Sequence, residues 1–252
     1  MPRFDPTAKT MIISSIATPK SQRDLGGLVL RRDIILGAAF LAWIYLIIQS
    51  FQFAVEGTAQ DLGPGMMIFD WLYQQSGMFG AFSQNIWSIC VTKIEAWGIS
   101  DFSRVFLMWQ IMIIAMMAPT LLFRKLYNME KNYSFSKFSR FIAGYLFAWS
   151  LFSIPMVLLQ WGLQTNGLLT DGMMIGIPWF STVMLIALVG FQLNNWRHKT
   201  NSDQSGFQLG LNCIRTNWPL MLSMFAFGLM NLIYMAVLTV LMIVFLKDAQ
   251  KH

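Results

Sequence analysis

A chain of 252 residues that is 56% hydrophobic and only 12% charged has too little polar surface to cover a soluble globule. Its net charge of +6 sits in short, separated clusters rather than in a dense basic block, which argues against a nucleic-acid surface. The composition points to an all-α, polytopic membrane bundle, because several windows of about 20 residues carry no charge, enough at about 1.5 Å per residue to cross about 30 Å of hydrocarbon.

In chain order, residues 1–33 read as a loosely ordered cytoplasmic tail. They carry Arg3, Lys9, Lys20, Arg23, Arg31 and Arg32, and "MIISSIA" is too short for the apolar core of a cleavable signal. A first span covers 34–54. The segment from 55 to 103 has only Lys93 against Glu56, Asp61, Asp70, Glu95 and Asp101, so it should face outward. Within it Phe79, Phe82, Ile86, Ile89, Cys90, Ile94 and Trp97 recur at three- and four-residue steps, the pattern of an amphipathic helix over 79–97 ended by Gly98. That helix either lies in the membrane-water interface or docks a partner through Phe82, Ile86 and Trp97.

A second span covers 105–123. Met108, Met112 and Met116 fall at i, i+4 and i+8 on one helix face, with Met117 beside them. Thioethers suit Cu(I), yet methionine also fills irregular gaps in apolar packing, and with 19 methionines in the chain such spacing arises easily, so packing is the better reading of the stripe. Pro119 should bend this helix and free the carbonyl of Ala115, which a neighbouring helix must then satisfy. A basic loop with Arg124, Lys125, Lys131, Lys137 and Arg140 leads to spans at 141–163 and 173–193, joined by an outward loop without basic residues. Arg197, Lys199 and Arg215 lie inside. The last apolar run, 217–246, is too long for an untilted crossing and should tilt, bend near Gly228 or project from the bilayer.

These five spans form one transmembrane domain over 34–246, followed by a short tail at 247–252. They place the N-terminus in the cytoplasm and the C-terminus outside a bacterial inner membrane, although Lys247 and Lys251 fit that side less well. Trp161, Trp179, Trp196 and Trp218 flank the loops at the headgroup level.

The chemistry is sparse. His198 and His252 form no cluster, Cys90 and Cys213 should lie on opposite sides of the membrane, and no nucleophile-base set or phosphate loop is present. The spans hold no Asp, Glu, Lys, Arg or His, which counts against pumps and ion-coupled transporters. What remains is packing chemistry: GxxxG pairs at Gly206 and Gly210 and at Gly172 and Gly176, with Gln110, Gln160, Asn217 and Asn231 available for bonds between helices.

"WQIMIIAMMAPT" (109–120), "FIAGYLFAWSLFS" (141–153), "GFQL" (190–193) and "GFQLGLNCIRTNWPLMLSMFAFGLMNLIYMA" (206–236) resemble consecutive blocks of a bacterial family known as predicted metal-binding integral membrane proteins. The resemblance runs from about residue 103 to 248, and it implies a helical membrane scaffold and metal binding. Where that family carries a histidine this chain has Leu209, and where it carries a cysteine pair this chain has Thr216 and Asn217. The loop "NNWRHKTNSDQ" lacks the family's cysteines, Leu246 replaces an acid, and Cys213 is retained. Two functions follow. One is a non-catalytic accessory subunit of a larger membrane complex, without a resident cofactor, packing against other integral membrane subunits and lipid through Phe82, Ile86, Trp97, Gln110, Gly206, Gly210 and Asn231. The other is a Cu(I)-handling membrane protein using Met112, Met116, Met221, Met224 and Cys213.

Overall fold

The computed structural model describes residues 19–55, 63, 65–76, 97–125, 135–170, 173–176, 178–195 and 205–251. Eight helices carry the described chain: α1 (Pro19–Val55), α2 (Met67–Ser76), α3 (Ile99–Lys125), α4 (Phe135–Thr165), α5 (Pro178–Asn195), α6 (Gly206–Leu222), α7 (Met224–Phe227) and α8 (Leu232–Lys251). Among the described residues there is no strand, only one isolated bridge between Leu169 and Ile175. Three helical stretches, Arg32–Gln52, Ile99–Leu122 and Phe135–Thr165, are long and apolar enough to cross a membrane, and Thr182–Phe191 and Leu232–Val244 are shorter apolar helices. The all-helical membrane class read from composition therefore stands.

One expectation needs correction, one is narrowed to a single option, and a third lies out of reach. Residues 19–33 are not loose tail but the first turns of α1. Of the options for the run 217–246, the structure takes the bend near Gly228: α6 ends at Leu222, a single turn of α7 follows, and Gly228 takes a φ of 99° that β-carbon-bearing residues rarely adopt. The amphipathic helix expected over 79–97, with Phe82 and Ile86, lies outside the described residues except for Trp97. That indole packs at a tilt against Phe102 at 4.9 Å, and the Gly98 carbonyl receives the amides of Asp101 and Phe102 in the first turn of α3.

Cross-helix contacts fix the directions. The Trp43 indole of α1 donates to the Ala115 carbonyl of α3 at 2.9 Å. This is the carbonyl that Pro119, four residues on, deprives of its amide partner, so the proline in α3 and the tryptophan in α1 form one device. Trp43→Phe keeps the ring but leaves that carbonyl unpaired, and it should cost about 1–3 kcal/mol, read as a lowered thermal midpoint in detergent.

α3 and α4 run antiparallel, tied by Gln110, whose amide donates to Ser153 at 2.9 Å and whose carbonyl accepts from Ser150 at 3.1 Å. α6 runs parallel to α4. Gly206 lies on the backbone of Phe141, and a β-carbon at Gly210 would stand 2.6 Å from that of Ala148. The GxxxG pair is thus a close helix contact, as its spacing implied, but it is made inside the chain. At the far end the Phe225 carbonyl accepts the amide of Ile175 at 2.8 Å, beside the turn that follows α4.

From that end α8 has one direction open to it. Met235, Leu238, Thr239 and Met242 stay buried over successive turns, and α8 packs against α3 and α1. The chain therefore reverses between α6 and α8. Asn231 stabilises the reversal by donating to the Phe227 carbonyl at 3.3 Å and accepting from the Tyr234 amide at 3.0 Å, while the Ser223 and Tyr234 hydroxyls pair at 2.8 Å.

Candidate soft-metal site

The buried core is rich in thioethers. Met108, Met112, Met116 and Met117 of α3 are each at most 1% exposed, and Met221, Met224, Met230 and Met235 belong to the same continuous core cluster as Cys213. The three-and-four spacing in α3 sets this up: one face of the helix carries sulfur, and that face points into the bundle rather than toward lipid.

Met112 and Met116 lie one turn apart and form one natural pair of donors. Met221 and Met224 form another, at the junction of α6 and α7, next to Phe225, whose ring meets that of Trp109 on α3 at 6.0 Å. Cys213 stands apart from Met221. It lies eight residues before Met221 on α6, a rise of about 12 Å, which is too far for both to bind one ion. Its sulfur accepts hydrogen bonds from the Tyr145 hydroxyl at 3.6 Å and the Asn217 amide at 3.3 Å, so its lone pairs already have partners on α4 and α6. The five candidate ligands thus fall into two methionine pairs and one separately engaged thiol.

Sequence reasoning missed Met173. This residue occupies the turn after α4 with φ 56°, a left-handed conformation that costs a residue other than glycine about 1 kcal/mol or more. Its side chain is 1% exposed, and its sulfur accepts from the Gln160 amide at 3.5 Å. The other end of Gln160 accepts the Trp109 indole N–H at 3.1 Å. A strained backbone, a buried amide and an indole therefore hold one more thioether at the end of the bundle where Phe225 and Met224 also sit. Only "DGMMIG" hinted at it, through glycines that mark a turn.

Of the residues expected at an interface between subunits, Gln110, Gly206, Gly210 and Asn231 all make their contacts inside the chain. Among the described residues no group of three or more His, Cys, Asp or Glu comes together that could hold a metal ion. Any metal chemistry here would fall to soft sulfur donors, which select Cu(I) over harder divalent ions.

A helical membrane bundle with a thioether-rich core is the class that the fold and site define. The PpoB2 family, described as copper chaperone, matches residues 106–204 and 198–247, more than half of the chain, and the protein belongs to it. The match covers nearly the same stretch as the resemblance to metal-binding membrane proteins and is consistent with it in general terms. No curated protein and no solved structure matches the chain.

Proposed function

We propose that this protein handles Cu(I) within a bacterial inner membrane, carrying it as cargo on methionine sulfur and passing it to a copper-requiring partner. The observation that carries the reading is the buried thioether set, with Met112, Met116, Met221, Met224 and Met173 all in one continuous core, in a chain whose family is described as copper chaperone. Thioethers bind Cu(I) without needing to lose a proton and hold it less tightly than thiolates, as suits an ion that must be released. The reading has no catalytic step. Of the residues named for the accessory-subunit reading, Gln110, Asn231 and the glycine pair are used within the bundle, while Phe82 and Ile86 lie outside the described residues. Delivery to a membrane partner nevertheless keeps association with other subunits as part of the proposal.

The test is a titration of detergent-purified protein with Cu(I) held by a chromophoric chelator. Cu(I) should be withdrawn from the chelator, and Zn(II) offered in the same way should not. No withdrawal beyond that of protein-free micelles would remove the reading.

The reversal between α6 and α8 gives the proposed membrane arrangement six crossings, by α1, α3, α4, α5, α6 and α8, with both termini in the cytoplasm. Lys247 and Lys251 then obey the positive-inside rule that five crossings violated. A reporter fused after His252 should be active on the cytoplasmic side only; activity on the outer side would restore the five-span arrangement.

A further inference from the structure

Gln160 is wholly buried and makes two bonds at the end of the bundle where α3 begins and α4 ends. Its Oε1 accepts the Trp109 indole N–H at 3.1 Å, and its Nε2 donates to the Met173 sulfur at 3.5 Å. These two bonds are not interchangeable. An indole nitrogen can only donate, so the amide oxygen must face Trp109 and the amide N–H must face the thioether. Trp109 is itself buried, with its ring 6.0 Å from that of Phe225, so the side chain that orients the amide is held in the core.

Thioether sulfur is a weak hydrogen-bond acceptor. An amide that served packing alone would gain little from such a partner, whereas buried hydrogen bonds of this kind are what orient the ligands of metal sites. The backbone of Met173 points the same way. Its φ of 56° belongs to the sparsely populated conformations that persist where the surroundings dictate them and that cluster at ligand sites. Here the surroundings are two backbone bonds: the Met173 amide donates to the Thr170 carbonyl at 2.9 Å, and the Ile175 amide donates to the Phe225 carbonyl at 2.8 Å. The second bond ties the turn to the residue that follows Met224, whose side chain is also wholly buried. Thr170 and Gly176, on either side of Met173, are exposed, so this sulfur lies just beneath the surface of the bundle.

We propose that Met173 is a Cu(I) ligand at this end of the bundle, with Met224 as the thioether carried next to its turn, and that Gln160 is the positioning residue that presents the Met173 sulfur. One lone pair of that sulfur accepts the amide N–H and the other is left for the ion. The inference rests on the copper reading and adds to it the end of the molecule at which the ion is held, which faces outward in the proposed membrane arrangement.

Cu(I) competition against a chromophoric chelator is measured on detergent-purified wild type, Met173→Leu, Gln160→Leu and the protein carrying both changes. Leucine keeps nearly the volume of methionine and meets the same backbone cost at positive φ, so Met173→Leu should fold, and it should bind Cu(I) about tenfold more weakly. Gln160→Leu should also weaken Cu(I) about tenfold, but not when Met173 is already leucine, because no sulfur is then left to position. A Gln160 that only supported the fold would weaken both backgrounds alike. Trp109→Phe keeps a ring and removes the donor that orients the amide, and it should show the same dependence on Met173. Unchanged Cu(I) affinity in Met173→Leu, or losses that simply add in the combined variants, overturn the proposal; if the Met112→Leu, Met116→Leu protein loses Cu(I) in the same assay, the copper reading stands without it. A wild type that withdraws no Cu(I) removes both.

Discussion

Gly206→Leu should prevent α6 from docking on α4 and leave little monodisperse protein after mild extraction. A β-carbon at Gly206 would collide with the Phe141 carbonyl, a backbone atom that cannot step aside as a flexible side chain can. At Gly210 the neighbours are the Ala148 β-carbon at 2.6 Å and the Tyr145 carbonyl at 3.1 Å, so the helices touch through two successive turns. Ordinary overpacking costs about 1–3 kcal/mol, and forcing backbone from backbone should exceed that range. Gly190→Leu is the control, because nothing lies within 4 Å of its β-carbon. If Gly206→Leu extracts as well as Gly190→Leu, the α4–α6 contact is not what organises this half of the bundle.

The second large effect is on metal. Met112→Leu with Met116→Leu keeps nearly the volume of both side chains and should cost less than about 1.5 kcal/mol each in stability. It removes two adjacent sulfur donors from the buried face of α3, and Cu(I) affinity should fall at least about tenfold, or ~1.4 kcal/mol. Cys213→Ser should matter less for Cu(I), because that sulfur is about 12 Å along α6 from Met221 and is held by Tyr145 and Asn217. The reverse ranking, a large loss from Cys213→Ser and none from the methionine pair, would move the site to α4 and α6.

The part of this molecule legible in its sequence was the part that hydropathy and helical spacing encode. The apolar runs became helices, the stripe Met108, Met112, Met116 became a buried face, and Pro119 foretold an unpaired carbonyl at Ala115 that Trp43 satisfies. Gln110 found partners on the next helix, as an amide in hydrocarbon must.

A bend near Gly228 was legible as one option for the long apolar run, but the reversal of direction there was not, because hydropathy reports preference for lipid over water and says nothing about chain direction. The residues on both sides are apolar, and the polar groups of the turn are satisfied by Asn231, Ser223 and Tyr234 without any charged residue to mark it. Met173 was hidden for a related reason: a left-handed backbone at a methionine leaves no compositional trace. The family resemblance put Cys213 among the ligands, whereas hydrogen bonds from Tyr145 of α4, distant in sequence, and from Asn217 of α6 already engage its sulfur.

Copper K-edge absorption of the intact protein loaded with one equivalent of Cu(I) tests the central claim most directly. Sulfur scatters more strongly than nitrogen or oxygen and sits farther from the ion, so the donor type can be read without assuming a geometry. The account predicts nearest neighbours dominated by sulfur in the wild type, diminished in the Met112→Leu, Met116→Leu protein and retained in Cys213→Ser. Nearest neighbours of nitrogen or oxygen alone, or a spectrum identical to Cu(I) in protein-free detergent, would contradict it.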